Sequence, residues 1–273
     1  MKRSRAVAER SGTPAALIPP AAVGALFFVV PALALLIRAP WSSLDAIYRK
    51  YQFWDALRIS IVTSLEVTVI SLLIGTPIAW ILARRTFPAK ALVRAIVTLP
   101  LVLPPVVGGV AMFYAFGRTG IIGRYLQSWF GIDLAFTQLG VVLAETFVAM
   151  PFLIITLEGA FRSSDRGLEE AAATLGASRL RVLTRVTLPL IVPSLGAGAV
   201  LCWARAIGEY GATQLFGGNT AGTTQTMPTL IGTAFTTSGD PQAATALSLP
   251  LVVIAIVVLV ALRDRWLRSA PAS

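Results

Sequence analysis

Residues 170–189 read Glu170-Ala171-Ala172-Ala173-Thr174-Leu175-Gly176-Ala177-Ser178-Arg179-Leu180-Arg181-Val182-Leu183-Thr184-Arg185-Val186-Thr187-Leu188-Pro189. The informative content is the spacing: a Glu-Ala-Ala triplet, Gly176 after three residues, Val186 after nine more, and Leu188-Pro189 after one. The stretch is the most charged part of an otherwise apolar chain and stands between two hydrophobic segments of membrane length. Such fixed spacing over twenty residues is hard to obtain by chance.

Hydrophobic residues make up 56% of the 273-residue chain and charged residues 13%. Soluble domains carry about 25% charged residues, so the composition is that of a multi-span membrane protein. The net charge of +10 flanks the apolar segments instead of forming one patch, which speaks against a nucleic-acid partner and for membrane lipid. There is no His and one Cys, Cys202, in an apolar run. That removes zinc sites, Cys–His nucleophiles and internal disulfides, and leaves Cys202 as a small packing residue. Lys2, Lys50 and Lys90 are the only lysines, and none follows Gly, so the chain has no phosphate-binding loop. No cofactor and no metal are expected.

A spanning helix needs about 20 apolar residues. Six candidates occur, at 15–37, 57–82, 92–116, 135–159, 187–208 and 242–262. The first follows Lys2, Arg3 and Arg5 like a signal peptide, but its apolar run is longer than a signal core and reads as a retained helix. The expected organisation is a tail at 1–14, a membrane domain at 15–268 holding a loop at 161–189, and a tail at 269–273. With the N-terminus inside, sixteen of the 23 Lys and Arg lie on that side and six on the other, which places both termini and the 170–189 loop in the cytoplasm. Within the third span, Leu99-Pro100-Leu101-Val102-Leu103-Pro104-Pro105 should break the helix near residue 100. The break is either an ordinary kink or part of a pore-lining wall.

Leu168, Ala172 and Leu175 fall at helical spacing, Glu169 and Glu170 open the run where acids favour the helix dipole, and Gly176 supplies a left-handed stop. A short helix and a turn are expected, with a small-residue surface at Ala171–Ala173, and the next span should begin at Leu188-Pro189. Such a helix either lies on anionic lipid or docks a partner.

A second informative stretch is 203–231. Arg205 and Glu209 are four apart and share a helix face at membrane depth, as a hinge or as a self-satisfied ion pair. Residues 210–239 carry no charge apart from the flanking groups and are rich in Gly, Thr, Asn and Gln. With Arg205 and Glu209, the residues Gly211, Thr213, Asn219, Thr224, Gln225 and Thr226 are candidates for a translocation path or gate, since neutral donors release an oxyanion readily. The alternative is an exposed loop touching a partner protein. Glu66 and Glu145 also fall within predicted spans, with no visible partners.

The 170–189 spacing resembles the cytoplasmic loop with which permeases of ABC importers engage their ATPase, with Val186 where the pattern has Ile. Residues 75–108 and 203–231 are similar to the oxyanion branch of that family, and Thr224-Gln225-Thr226-Met227-Pro228 looks most like the molybdate permeases, with Met227 in place of Leu. The resemblance covers about 55–262. It implies an all-α membrane fold of six transmembrane helices in a bacterial plasma membrane. It further implies contacts of Glu169, Glu170, Ala171, Ala172, Leu175, Gly176, Leu188 and Pro189 with a separate cytoplasmic ATPase. An extracytoplasmic molybdate-binding protein and a second permease copy complete the assembly, and hydrolysis belongs to the partner. Two alternatives remain: a sulfate or thiosulfate permease, and, from another class, an ion-coupled carrier or channel. An intramembrane enzyme is disfavoured by the absence of His and of a catalytic carboxylate pair in the spans.

Overall fold

A computed structural model describes the backbone of residues 15–268 and the side chains of 16–260. The expected tails at 1–14 and 269–273, with the charges of Lys2, Arg3, Arg5 and Arg10 and the side chains of Arg263, Arg265 and Arg268, lie outside the described residues. The described chain is helical and contains five continuous helices long and apolar enough to cross a membrane. They are α1 (Ile18–Arg38), α3 (Phe53–Arg84), α7 (Gln138–Ser163), α10 (Leu188–Ile207, continuous with a lead-in from Arg179) and α12 (Pro241–Arg268).

The sixth expected span is not one helix. The expected span 92–116 is a pair, α4 (Lys90–Val102) and α5 (Pro105–Phe116). The break falls at Leu103-Pro104, both extended (ψ 133° and 132°), while Pro100 sits inside α4. Leu103 N–H still bonds the Leu99 carbonyl at 3.1 Å. Pro104 then offers no donor and forces the residue before it out of the helical region. Pro105 restarts the helix at its first position, where a missing N–H costs nothing.

The core is built around α7, the most deeply enclosed span. The face of α3 turned to it carries Ser60, Thr63, Ser64, Val67, Ser71, Gly75 and Ala79, small residues at three- and four-residue spacing. Such residues let spanning helices approach closely: a Cβ on Gly75 would stand 3.2 Å from Ile154 and Leu153. Helix α10 packs on the same pair, and its Cys202 is fully buried in the shared cluster with Ala149, Leu153 and Leu157, as expected of a packing residue. Helix α1 buries none of its residues in this chain.

Three small helices lie outside the spans. Helix α2 (Leu44–Lys50) crosses the end of the bundle where α12 begins, with Tyr48 donating to the Ala246 carbonyl at 3.1 Å. Helix α6 (Gly123–Phe130) follows α5. Helix α8 (Arg166–Thr174) caps the opposite end, between α7 and the lead-in to α10. That lead-in consists of α9 (Arg179–Val182) and a π-turn at Leu183–Thr187.

The stretch between α10 and α12 is not an exposed loop. It folds back into the bundle through a π-turn at Thr213–Gly217 and α11 (Met227–Gly232), burying Thr213, Phe216, Met227 and Leu230. An uncharged, hydroxyl-rich segment can be buried where most of its polar groups satisfy one another, as from Asn219 to Thr233.

Candidate functional site

Helix α8 forms where expected and for legible reasons. Asp165 caps it by accepting from Gly167 N–H at 2.8 Å. Gly176 ends it at φ +84°, a left-handed conformation that glycine adopts freely. Ala177 N–H reaches back to the Ala172 carbonyl at 3.1 Å, closing the turn as a six-residue loop.

The two acids that open the helix have different environments. Glu170 is exposed. Glu169 turns inward, where its Oε1 accepts from Arg84 Nη2 at 2.6 Å and from Thr187 Oγ1 at 3.1 Å. The same Arg84 nitrogen donates to Ser164 Oγ at 2.5 Å. The Arg84 side chain is only 7% exposed, so one guanidinium ties the end of α3 to both ends of the α7–α8 turn. Glu169 in turn ties α8 to the π-turn that leads into α10. Behind this knot lies a cavity of about 500 Å³ lined by Trp80, Arg85, Ala173 and Arg179 among others.

Of the apolar trio at helical spacing, Leu168 and Leu175 stay 48% and 89% exposed, and Ala172 is half-buried. The leucines are therefore not used in the packing of this chain. Leu188 and Pro189 do not start the next span. The helix runs continuously from Arg179, and Leu188 N–H bonds the Leu183 carbonyl, a five-residue step. The widened π-turn is the local feature that precedes a proline inside a continuous helix, where its ring would otherwise crowd the carbonyl four residues back.

A second ionic cluster lies nearby. Glu158, at the same end of α7, takes Arg94 of α4 and, at 2.7 Å, Arg162 one turn along. Sequence reading missed the Arg84–Glu169 and Arg94–Glu158 contacts because these partners are 85 and 64 residues apart, and it passed over Glu158 and Arg162, whose four-residue spacing was a local signal.

At the far end, Arg205 and Glu209 form the ion pair their spacing predicts. Glu209 is 1% exposed, and its other oxygen accepts from Ala212 N–H at 2.9 Å, so the pair also anchors the inward turn after α10. At Gly211 the backbone touches α5, where an added Cβ would stand 2.9 Å from Pro105 Cβ. Thr213 is fully buried and its hydroxyl has no partner among the described residues. The remaining candidates form one network, in which Gln225 donates to Asn219 at 2.9 Å and Asn219 donates to Thr233 at 2.7 Å. Thr224 accepts from Thr220 N–H, and Thr226 pairs with Thr229. Met227 N–H bonds Ser60 Oγ on α3 at 2.7 Å, which fixes the network to the core. The structure thus brings Asn219, Thr224, Gln225 and Thr226 together in one segment, while Arg205 and Glu209 serve the adjoining turn. Glu145 is buried and accepts from Thr63 at 3.3 Å, a partner invisible in sequence. Glu66 is exposed on α3.

Five helices of membrane-crossing length and a broken helix pair, with a short helix held at one end of the bundle, form the fold of an importer's membrane subunit. The chain belongs to the family of binding-protein-dependent transport system inner membrane components, whose description matches residues 75–269. It is 46% identical to the molybdenum transport system permease protein ModB of Mycobacterium tuberculosis, over 90% of this chain and 92% of that one. It is 41% identical to ModB of Escherichia coli strain K12, over 78% and 93%. The probable sulfate transport system permease protein cysT of Chlorokybus atmophyticus is 36% identical over 76% and 73%. Among solved structures, a bacterial ABC transporter that imports the acidic polysaccharide alginate matches with TM-score 0.69, 23% identity and coverage of 93% and 95%, a likeness of fold.

Proposed function

We propose that this chain is the membrane-spanning subunit of an ATP-driven molybdate importer. The observation that carries the cargo is the 46% identity to a molybdenum permease over nine-tenths of the chain, against 36% to the sulfate permease. Tungstate, of the same shape and charge, belongs to the same reading.

Helix α8 faces the cytoplasm and seats in a separate ATPase subunit through Glu170, Ala171, Leu175 and Gly176. Leu188 and Pro189 place the following span. The exposed Leu168 and Leu175 support a protein partner at this surface. ATP is bound and hydrolysed by that partner. When it closes, α8 is displaced, and the Arg84–Glu169–Thr187 contacts carry the displacement into α3 and α10. An extracytoplasmic molybdate-binding protein delivers the anion at the far end. Since ABC ATPases act as pairs and this chain has one α8, two copies assemble as a homodimer with the anion passing between them. Both termini are cytoplasmic in this arrangement, as the charge distribution favours. The Arg205–Glu209 turn and the Asn219–Thr226 network hold the outer half of the path in shape.

Uptake of labelled molybdate into cells carrying the full importer tests this reading. Uptake that requires the ATPase and is competed by tungstate but not by excess sulfate is expected. Competition by sulfate overturns the cargo, and uptake without the ATPase overturns the class.

A further inference from the structure

Helix α3 packs one face on α7 and α10 and leaves the other uncovered along its length. Arg58, Val62 and Glu66, four residues apart, lie on the uncovered face, which continues through Val69 and Leu73. Glu66 stands 13 residues into a 32-residue helix, about 20 Å from its start at 1.5 Å per residue. It therefore lies at span depth. A carboxylate turned to hydrocarbon there costs at least about 2.5 kcal/mol, and such groups face water or protein. The face carrying Glu66 is thus not a lipid face.

Its outer end opens into a cavity of about 530 Å³. Arg58 and Val62 form one wall, and Gln138, Thr223 and Thr224 stand opposite. Arg58 is the one charged residue among those that line it. The Thr223 hydroxyl already donates to the Thr220 carbonyl at 3.3 Å, whereas Thr224 Oγ1 only accepts from Thr220 N–H and keeps its proton, which leaves the Arg58 guanidinium with the Gln138 amide and the Thr224 hydroxyl to meet a ligand.

We propose that this face of α3 is the wall of the anion path shared with a second copy of the chain, and that the Arg58 cavity is its outer station for a tetrahedral oxyanion. The proposal rests on the dimeric importer described above. A single cation among neutral donors attracts a dianion without trapping it.

The chain's only native thiol, Cys202, is buried, so introduced cysteines can be read without replacing it. The assembled transporter in liposomes would carry Val62→Cys, Glu66→Cys or, as a lipid-facing control, Phe28→Cys on α1, and would be treated with membrane-impermeant methanethiosulfonates. The Val62→Cys and Glu66→Cys thiols should react at least about tenfold faster than the Phe28→Cys thiol. At Val62→Cys the anionic sulfonate reagent should be favoured over the cationic ammonium reagent, and adding Arg58→Gln should lower that preference by about tenfold or more, since a focused positive field raises local anion concentration on that scale. Reaction at Val62→Cys and Glu66→Cys no faster than at the control, or an unchanged preference in Arg58→Gln, would overturn the proposal. The reaction needs neither molybdate nor ATP, so an importer of a different anion would fail the cargo test above and still pass this one.

Discussion

Glu169 and Glu170 are adjacent acids with separate roles. Glu170 is exposed on α8, whereas Glu169 is joined to Arg84 and Thr187 inside the protein. Removing one partner of a buried pair leaves the other charge uncompensated. At a site where Glu169 keeps 23% of its side-chain exposure, the loss should be about 1–3 kcal/mol, the cost of an unsatisfied buried group, rather than the larger figure for full burial. Glu169→Gln should therefore leave the permease inserted but raise the number of ATP molecules hydrolysed per anion imported, measured in proteoliposomes. An unchanged ratio would remove the Arg84–Glu169 contact from the transmission route. Gly211 is a packing counterpart. A Cβ there would meet Pro105 Cβ at 2.9 Å and the Val106 backbone nitrogen at 3.1 Å, neither of which is a flexible side-chain end. Gly211→Ala should lower stability by about 1–3 kcal/mol through overpacking, read as a drop in melting temperature in detergent. Gly24→Ala, with nothing within 4 Å, should show no steric penalty.

Among the elements, α2 is attached to the start of α12 by a small polar cluster outside the spans. The Asp240 carboxylate accepts from Ala243 N–H at 2.9 Å and from the Tyr51 hydroxyl at 3.1 Å, and lies 3.6 Å from Lys50 Nζ. The Ala243 N–H first, then Tyr51 and Lys50, hold Asp240 below the usual aspartate value of 3.8, against a smaller opposing effect of desolvation. A depressed folded value means that the contribution is present above the unfolded value and lost as pH falls through the folded one. Asparagine retains the cap but not the charge. Wild type should melt above Asp240→Asn near neutral pH, and the difference should vanish as pH falls through and below 3.8. A difference that persists in acid would assign it to shape and not to charge.

The elements also show what the sequence could convey. Helix α8 was legible because its signals are local: acids at the start, Gly176 at the stop, and spacing between. The broken third crossing was legible from its prolines, although the break sits at Leu103-Pro104 and not at Pro100, since the tertiary setting decides which proline a helix tolerates. The continuity of Arg179 through Pro189 was not legible, because a π-turn has no sequence signature as strong as the proline it accommodates. The inward fold of residues 210–239 was hidden for a similar reason. Its burial depends on hydrogen bonds such as Met227 to Ser60, made across 167 residues.

At the scale of the whole molecule, the described chain is incomplete as a machine. It exposes the leucines of α8 at one end and, along its side, a largely apolar face of α3 that carries Arg58 and Glu66, and α1 packs mainly on α12 alone. Each uncovered surface corresponds to a component of the proposed importer: an ATPase, a second copy and lipid. In the proposed importer, α8 couples this bundle to an ATPase in response to an anion delivered at the opposite end. The most direct test is the ATPase activity of the permease purified with its ATPase and reconstituted in liposomes, with binding protein loaded with molybdate or with sulfate. Stimulation by the molybdate-loaded form alone is the expected result. Stimulation by the sulfate-loaded form instead would contradict the cargo, and the absence of a co-purifying ATPase would contradict the coupling itself.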